Sequence, residues 1–249
     1  MSIAYIFIGI IIGFLSGIFG IGGSIIATPV LKTIFGLPDF IAIASPLPVI
    51  IPTAISGIFG YWQKGIIHKK TAFLTIIVGL PATILGAYST KFINSSWLMI
   101  LTGIVVFIVG LRFLQGNHLV NSEFKNKIPF SVCAIAIGII AGFFSGLLAV
   151  GGGIILVPAF VLMLGLSMQE AVSTSLLCIA FFAIPGTLVH WSLGHINWHL
   201  VLNLSIGVIP SSYLGARIGM AIKSKQLQVA FSLFLIIFSL YFILKQINI

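Results

Sequence analysis

Residues 13–29 read GFLSGIFGIGGSIIATP, and residues 142–158 read GFFSGLLAVGGGIILVP. Both stretches place a serine between two glycines, continue into a glycine cluster and end on a proline in the same register. Consecutive glycines weaken helix continuity and adopt backbone conformations that other residues avoid. We therefore expect one broken helix at Gly20 to Ser24 and a second at Ala149 to Gly153.

The two stretches belong to a duplication that runs through the whole chain. A shift of 129 residues superposes the two halves without a gap, and the matches fall on residues that control backbone geometry. They pair Gly9, Gly13 and Gly17 with Gly138, Gly142 and Gly146, Pro29 with Pro158, Gly57 with Gly186, and Pro81 with Pro210. The chain therefore consists of two tandem copies of one unit.

The composition is that of a membrane protein. Hydrophobic residues make up 59% of the chain, charged residues only 6%, and the mean hydropathy is +1.26. No water-soluble fold buries that much apolar surface, so we expect lipid to be the solvent. The net charge of +9 does not indicate nucleic-acid binding, because most basic residues lie in short breaks between apolar segments.

Each unit is predicted to contain five apolar segments. In the first unit they are Ile3 to Gly20, Ser24 to Gly36, Phe40 to Trp62, Thr71 to Lys91 and Trp97 to Leu114, and the second unit repeats them. The first segment barely spans a bilayer, and the second, at about 13 residues, is too short to do so. The predicted fold is an all-α polytopic membrane protein with short broken or re-entrant helices at the glycine-rich motifs.

A polar linker divides the two units. We assign residues 1–115 to the first transmembrane repeat, 116–128 to a cytoplasmic linker and 129–249 to the second repeat. Basic residues follow segment three in the first unit but segment four in the second, so equivalent breaks face opposite sides. The positive-inside rule then predicts inverted repeats, with an odd number of crossings each and both chain termini outside.

The glycine breaks are the candidate substrate site. A helix that begins after each break would aim free N–H groups and its positive dipole end at a cavity near the midplane, where an anion would bind. Two broken segments at matching positions of two halves are typical of a transporter site. The candidate residues are Gly22, Gly23, Ser24, Gly151, Gly152 and Gly153. The alternative is that these glycines only form turns between packed helices.

Further polar residues are candidates for lining the site. Ser45 matches Thr174 in the other half, and Ser175 follows directly, although these hydroxyls would otherwise bond to their own helix. Arg217 lies inside an apolar run, where its guanidinium would clamp a sulfonate or carboxylate. It would equally serve as an orientation signal by reaching the cytoplasmic headgroups.

Other chemistries lack the residues they need. We interpret His190, His195 and His199 as part of an interfacial loop, because no carboxylate accompanies them to hold a metal. Acids are too few for cation transport through an acidic site. Paired cysteines, a histidine-carboxylate cluster and a cofactor motif are missing from the sequence, so we expect neither an enzyme nor a redox relay, and no metal or cofactor.

The sequence resembles the TauE/SafE sulfite exporter family, also called the TSUP transporters. The resemblance rests on the two quoted stretches, on Thr174-Ser175-Leu176 and on Leu214-Gly215-Ala216-Arg217, and it covers nearly the whole chain. It implies a multi-pass carrier in the inner plasma membrane that exports sulfur-containing oxyanions or organosulfonates such as sulfite or sulfoacetate. Ser45-Pro46 departs from the Thr-Ser pair that the family leads one to expect, which argues against a symmetric site.

Two functions fit these features. The leading hypothesis is a secondary carrier for a small anion, which binds between the glycine breaks while one unit rocks against the other. The alternative is a passive anion channel of the same architecture, which would conduct instead of showing saturable exchange.

Overall fold

The computed structural model of the protein describes residues 2–62, 65–93, 95–115 and 129–247, and every element of regular structure within these residues is helical. The first half contains α1 (Ser2–Phe19), α2 (Ser24–Thr33), α3 (Asp39–Ala44), α4 (Pro46–Trp62), α5 (Lys69–Ser89), a 3-10 turn (Thr90–Phe92) and α6 (Ser95–Leu114). The second half contains α7 (Phe130–Leu148), α8 (Gly153–Leu164), α9 (Met168–Ser192), α10 (Trp198–Ala221) and α11 (Ser224–Ile247). The predicted linker at 116–128 lies outside the described residues.

Six helices in the described part of the chain are long and apolar enough to cross a membrane. They are Asp39–Trp62, which joins α3 and α4, Lys69–Phe92, which joins α5 and the 3-10 turn, Phe130–Leu148, Met168–Ser192, Trp198–Ala221 and Ser224–Tyr241. The prediction of an all-helical, multi-pass membrane protein is confirmed.

The third segment differs between the halves because of one proline. In the first half the helix is interrupted at Ser45, between α3 and α4, whereas α9 runs unbroken through the matching residues. Pro46 has no N–H to donate to the carbonyl four residues earlier. The matching residue in α9 is Ser175, which keeps its N–H and lets the helix continue.

The short second helix of each half folds back on the first. Gly23, at the start of α2, lies against Ile12 and Ser16 of α1. The ring of Phe35, just after α2, lies 4.7 Å from the ring of Tyr5 near the start of α1. Because α2 returns to the level at which α1 begins, the two form a hairpin that enters and leaves at one end. The start of α8 packs on α7 in the same way.

Glycine stripes join helices from different halves. Helix α1 packs on α10, and the backbone contacts run in the order Gly9 with Leu204, Gly13 with Val208 and Gly17 with Ser212. Helix α5 packs on α7 in the order Thr75 with Gly138, Gly79 with Gly142 and Thr83 with Gly146. Both residue numbers rise together, so the helices of each pair are parallel. Only glycine allows two helix backbones to approach this closely.

The bundle has two distinguishable ends. At one of them, which we call the histidine end, Phe40 stacks on His195 at 4.6 Å and the Asn197 N–H donates to the Ser45 hydroxyl at 3.0 Å. We call the other end the lysine end and define it by Lys69, Met168 and Ser224. There the Met168 N–H donates to the Ser224 hydroxyl at 2.9 Å.

These contacts give the helices outside the two hairpins a direction. Helices α4, α6 and α10 run from the histidine end to the lysine end, and α5, α9 and α11 run back. The α1–α2 hairpin opens at the histidine end, because α1 is parallel to α10. The α7–α8 hairpin opens at the lysine end, where the Phe130 ring lies 6.0 Å from the His68 ring.

The glycine stripes should be intolerant of even one added methyl group. A Cβ at Gly17 would overlap the Ser212 carbonyl oxygen, and one at Gly146 would overlap the Thr83 carbonyl oxygen. We expect Gly17→Ala and Gly146→Ala each to lower the free energy of unfolding by about 1–3 kcal/mol, the usual cost of overpacking. Thermal unfolding in detergent measures this effect.

The matched control is Gly186→Ala in α9, where the nearest atoms would lie 3.7 Å from the new methyl group. That variant should be as stable as the parent protein or slightly more so, since alanine favours helix over glycine. Equal stability of all three variants would show that the close backbone approach is not needed.

Candidate functional site

Both predicted helix breaks are present and share one backbone conformation. Left-handed φ angles occur at Gly20 (70°), Gly22 (77°) and Gly23 (83°), and at the matching Ala149 (52°), Gly151 (78°) and Gly152 (76°). Such residues end a helix, and glycine adopts this conformation without strain. Ala149 is the only residue other than glycine with a positive φ in the described part of the chain.

The two breaks meet at the centre of the bundle. A Cβ on Gly153 would lie 2.5 Å from the carbonyl oxygen of Gly20 and 2.7 Å from the Cα of Ile21, so the two backbones touch. The Ser175 hydroxyl of α9 donates to the same Gly20 carbonyl oxygen at 3.0 Å. The candidate site is thus a contact between the halves.

Two matching isoleucines fill the space beside the breaks. Gly22 packs against both Ile50 and Ile179, and Gly151 packs against Ile50. These isoleucines occupy equivalent positions in α4 and α9 and are fully buried. They close the centre of the bundle between the two breaks.

Unpaired hydroxyl groups lie around the breaks. The side-chain oxygens of Ser16, Ser24, Thr28 and Ser145 are buried and have no hydrogen-bond partner within the described residues. A Cβ on Gly23 would lie 3.6 Å from the Cβ of Ser16, and one on Gly152 would lie 3.2 Å from the Cβ of Ser145. Each new helix therefore starts beside a serine of the preceding helix, and the hydroxyl and helix N–H groups are the donors that an anion needs.

The breaks are not equivalent in polarity. Ser24 is matched by Gly153 and Thr28 by Val157, so the first break has three unpaired hydroxyls and the second has one. Buried hydroxyls without a partner are unfavourable, and a ligand that accepts from them removes that cost. An anion would accordingly find more donors at the first break.

A narrow cavity borders the second break on one side. Its lining includes Thr28 and Thr102, together with Val150 of the break. The residue that matches Thr102 is Phe231, whose ring lies 5.4 Å from the Phe19 ring and fills the equivalent space. Gly103 and Leu148 of the lining are likewise matched by the larger Ser232 and Phe19, so several side chains contribute to this difference between the halves.

The charged groups lie away from the breaks. Asp39 and Glu170 are the acids among the described residues; Asp39 pairs with Lys32, and Glu170 accepts from the Ser167 N–H at 2.8 Å in a helix cap. The described residues contain no group of three or more His, Cys, Asp or Glu side chains placed to hold a metal ion. Helix dipoles and neutral donors thus dominate the electrostatics of the centre.

Three predicted lining residues lie elsewhere. Ser45 accepts from Asn197 at the histidine end, and Thr174 accepts from the His68 N–H at 3.0 Å towards the lysine end. Arg217 is exposed, and its guanidinium lies 5.7 Å from the Tyr213 ring centre. Of the polar residues proposed outside the breaks, only Ser175 reaches them.

Sequence reasoning missed four residues at the centre. Ser16 and Ser145 served only as markers of the duplication, and Ile50 and Ile179 received no role. The sequence did mark them as equivalent, because the two members of each pair are separated by the 129 residues of the repeat. What the sequence lacked was the folding of α2 and α8 back on α1 and α7, which brings these side chains to the breaks.

The Ser175 hydroxyl should stabilise the contact between the halves. Its removal in Ser175→Ala leaves the buried Gly20 carbonyl without this donor, which should lower the free energy of unfolding by about 1–2 kcal/mol. The control is Ser173→Ala, because Ser173 donates to the Glu170 carbonyl of its own helix. Thermal unfolding in detergent should separate the two variants, and equal stability would contradict a special role for Ser175.

Comparison with known proteins places this arrangement in a family. The chain is 28% identical over 241 residues to the probable membrane transporter protein YunE of Bacillus subtilis, with 88% of this chain and 87% of that protein covered. It is 30% identical over 256 residues to a probable membrane transporter protein of Methanocaldococcus jannaschii, with 96% and 94% covered. No solved structure matches the chain.

The sequence profile of the sulfite exporter TauE/SafE family matches residues 5–242, which include both glycine breaks and both hairpins. The match covers nearly the whole chain, and the resemblance read from the glycine motifs is confirmed. The chain therefore belongs to the sulfite exporter TauE/SafE family.

Proposed function

We propose that this protein is a secondary carrier that exports a small anion, sulfite or an organosulfonate, across the inner plasma membrane. The observation that carries the proposal is the meeting of two helix breaks, one from each half, at the centre of the bundle. Each break starts a helix whose N–H groups face the contact, and unpaired buried hydroxyls accompany them. Such a set of neutral donors suits a sulfonate or sulfite oxygen.

A carrier fits the centre better than a channel does. Gly22 and Gly151 both pack against Ile50, so this side chain occupies the space between the two breaks. An anion reaches the hydroxyls only if the breaks move apart. Movement that opens one side while the other stays closed is alternating access.

The moving bodies in this proposal mix the two halves. Helix α1 packs closely on α10, and α10 packs on α4, whereas α5 packs closely on α7. Helix α9 packs on both α4 and α5 and lies between the two groups. Each hairpin is thereby fixed to a spanning helix of the other half. We infer that the body with α1, α2 and α10 rocks against the body with α5, α7 and α8, and that the glycine breaks lie on the boundary.

We further infer that the two repeats, residues 1–115 and 129–249, are inverted around a cytoplasmic linker. The helix directions support this, because one hairpin opens at the histidine end and its counterpart opens at the lysine end. Charge supports it as well: the basic residues of the described helices towards the lysine end are Lys69, Lys70, Arg112, Arg217, Lys223 and Lys225, against Lys32, Lys91 and Lys245 towards the histidine end. The positive-inside rule places the lysine end in the cytoplasm.

The inversion is tested by labelling single cysteines from outside the cell. In a variant without Cys133 and Cys178, a cysteine at His199 should react with an impermeant reagent, whereas a cysteine at Lys70, the matching position of the first repeat, should react only after the membrane is opened. Both native side chains are exposed, so burial within the protein does not prevent the reagent from reaching either position. Labelling of both from the same face would rule out the inverted arrangement.

The transport function is tested in proteoliposomes. We expect saturable sulfite or sulfoacetate uptake that is accelerated by the same anion inside, since a carrier exchanges and a channel does not. A Cβ at Gly151 would lie 2.7 Å from Ile50 Cδ1, so Gly151→Ala should reduce this exchange strongly while the protein still inserts. Gly22→Ala should act in the same direction.

The matched control is Gly36→Ala. Gly36 has a φ of +63°, so alanine is strained there as it is at Gly151, but no atom lies within 4 Å of the added methyl group. Full exchange by Gly36→Ala together with loss in Gly151→Ala would assign the effect to the contact between the breaks. Equal exchange in all variants would show that the glycines of the breaks are needed only for the fold. Absence of anion flux in the parent protein would overturn the proposed function.

A further inference from the structure

Each hairpin has one buried polar ring beside the last turn of its first helix. Tyr61, at the end of α4, is fully buried, and its hydroxyl lies 3.3 Å from the Gly17 carbonyl oxygen of α1. The matching residue in the second half is His190, which is also fully buried. The backbone of Gly146, the counterpart of Gly17, interacts with the His190 ring. The phenol lies towards the lysine end and the imidazole towards the histidine end.

His190 is connected to the surface through a second histidine. The Nδ1 atoms of His190 and His195 lie 3.3 Å apart. His195 is partly exposed in an open depression at the histidine end, where Phe40 stacks on its ring and Lys91 contributes to the wall. Partial burial lowers the pKa of His195 below its ordinary value.

The pair holds one extra proton without losing its hydrogen bond. When both rings are neutral, one Nδ1 carries a hydrogen and donates to the lone pair of the other. When a proton binds His195 at Nε2, the His195 Nδ1–H still donates to His190 Nδ1. If that Nδ1 hydrogen then moves to His190, His195 becomes neutral and His190 carries the positive charge. His190 Nε2 makes no hydrogen bond of normal distance and angle with any described residue, although the Gly146 backbone lies close enough to interact with the ring.

We propose that His190 and His195 form a proton-binding site that couples the movement of the anion to the movement of a proton. The inference rests on the proposed anion carrier. His195 receives the proton from the depression at the histidine end, and His190 holds it inside the bundle. The matching Tyr61 stays neutral over the physiological range, so the opposite end has no equivalent site.

The coupling follows from the position of His190 relative to the second break. Gly146 and Ser145 belong to the last turn of α7, directly before the break at Ala149 to Gly152, and the Ser145 hydroxyl is one of the unpaired donors. A positive charge on His190 favours an anion near that break, and a bound anion favours the proton by the same amount. Proton and anion are therefore carried together, so an inward proton gradient favours anion entry, and export requires an outward anion gradient that exceeds it.

Other titratable groups at the histidine end do not replace this pair. From the elements that pack around α9 and the His195 loop they are Tyr88, Lys91, Tyr241, Asp39 and His199. Lys91 lies over the Tyr88 ring at 4.9 Å, Asp39 pairs with Lys32, and His199 contacts Asn203 of its own helix. Helices α4, α7 and α8 bring no titratable side chain to this end within the described residues.

The test measures proton entry and anion exchange separately. Proteoliposomes are loaded with a pH-sensitive dye, and sulfoacetate is added outside, because its charge is constant at any pH above about 6. For the parent protein we expect sulfoacetate to cause proton entry, and an inward proton gradient to accelerate its uptake about fivefold or more, the lower range of coupling between two sites.

The variants are His190→Tyr, which installs the residue of the other half, and His195→Gln. Both should still exchange sulfoacetate at equal pH while losing proton entry and the acceleration by the gradient. His199→Gln is the matched control and should behave as the parent protein does. If His190→Tyr does not insert, His195→Gln decides alone.

Each outcome separates the two proposals. Proton-coupled uptake that persists in both variants would overturn the histidine site, as would a parent protein that exchanges sulfoacetate without moving protons; the carrier function would stand in either case. A parent protein that moves no anion at all would overturn the carrier itself.

Discussion

Backbone that leaves a helix at membrane depth must be enclosed by protein, because lipid offers no hydrogen-bonding partner. In this chain the two helix breaks pack against each other, and each covers part of the other's backbone. The Gly153 backbone lies on that of Gly20 and Ile21, and the Ser175 hydroxyl satisfies the Gly20 carbonyl. The short helices α2 and α8 then fold back along α1 and α7. The architecture of the centre follows from this one contact between backbones.

The glycine stripes decide which helices carry the breaks. Because α1 and α10 touch through their backbones, the first hairpin is fixed to a helix of the second half, and α7 is fixed to α5 in the same way. Duplication alone would suggest that the halves are the mechanical units. The packing favours bodies that mix the halves, with the glycine breaks on the boundary, where a small displacement changes access to the hydroxyls.

Divergence between the copies bears on the function more than their similarity does. The scaffold is doubled, but the polar groups are not: Ser24 is matched by Gly153, Thr28 by Val157, Thr102 by Phe231 and Tyr61 by His190. The first break thus has more unpaired donors, the cavity lies between Thr28 of the first half and Val150 of the second, and the buried imidazole lies in the second half. In the proposed carrier, a ligand between two such breaks would have different donors on its two sides.

The sequence by itself determined the helical membrane fold, the family and the two breaks, because hydrophobic run length and consecutive glycines act locally. It predicted Ser24 and Ser175 as site residues, and both lie at the breaks, but it gave the same role to Ser45, Thr174 and Arg217, which lie elsewhere. Only the tertiary structure decided that the short segments form hairpins and that Ser16, Ser145 and His190 face inward. Those placements depend on backbone approach between residues far apart in the chain, which a local pattern does not encode.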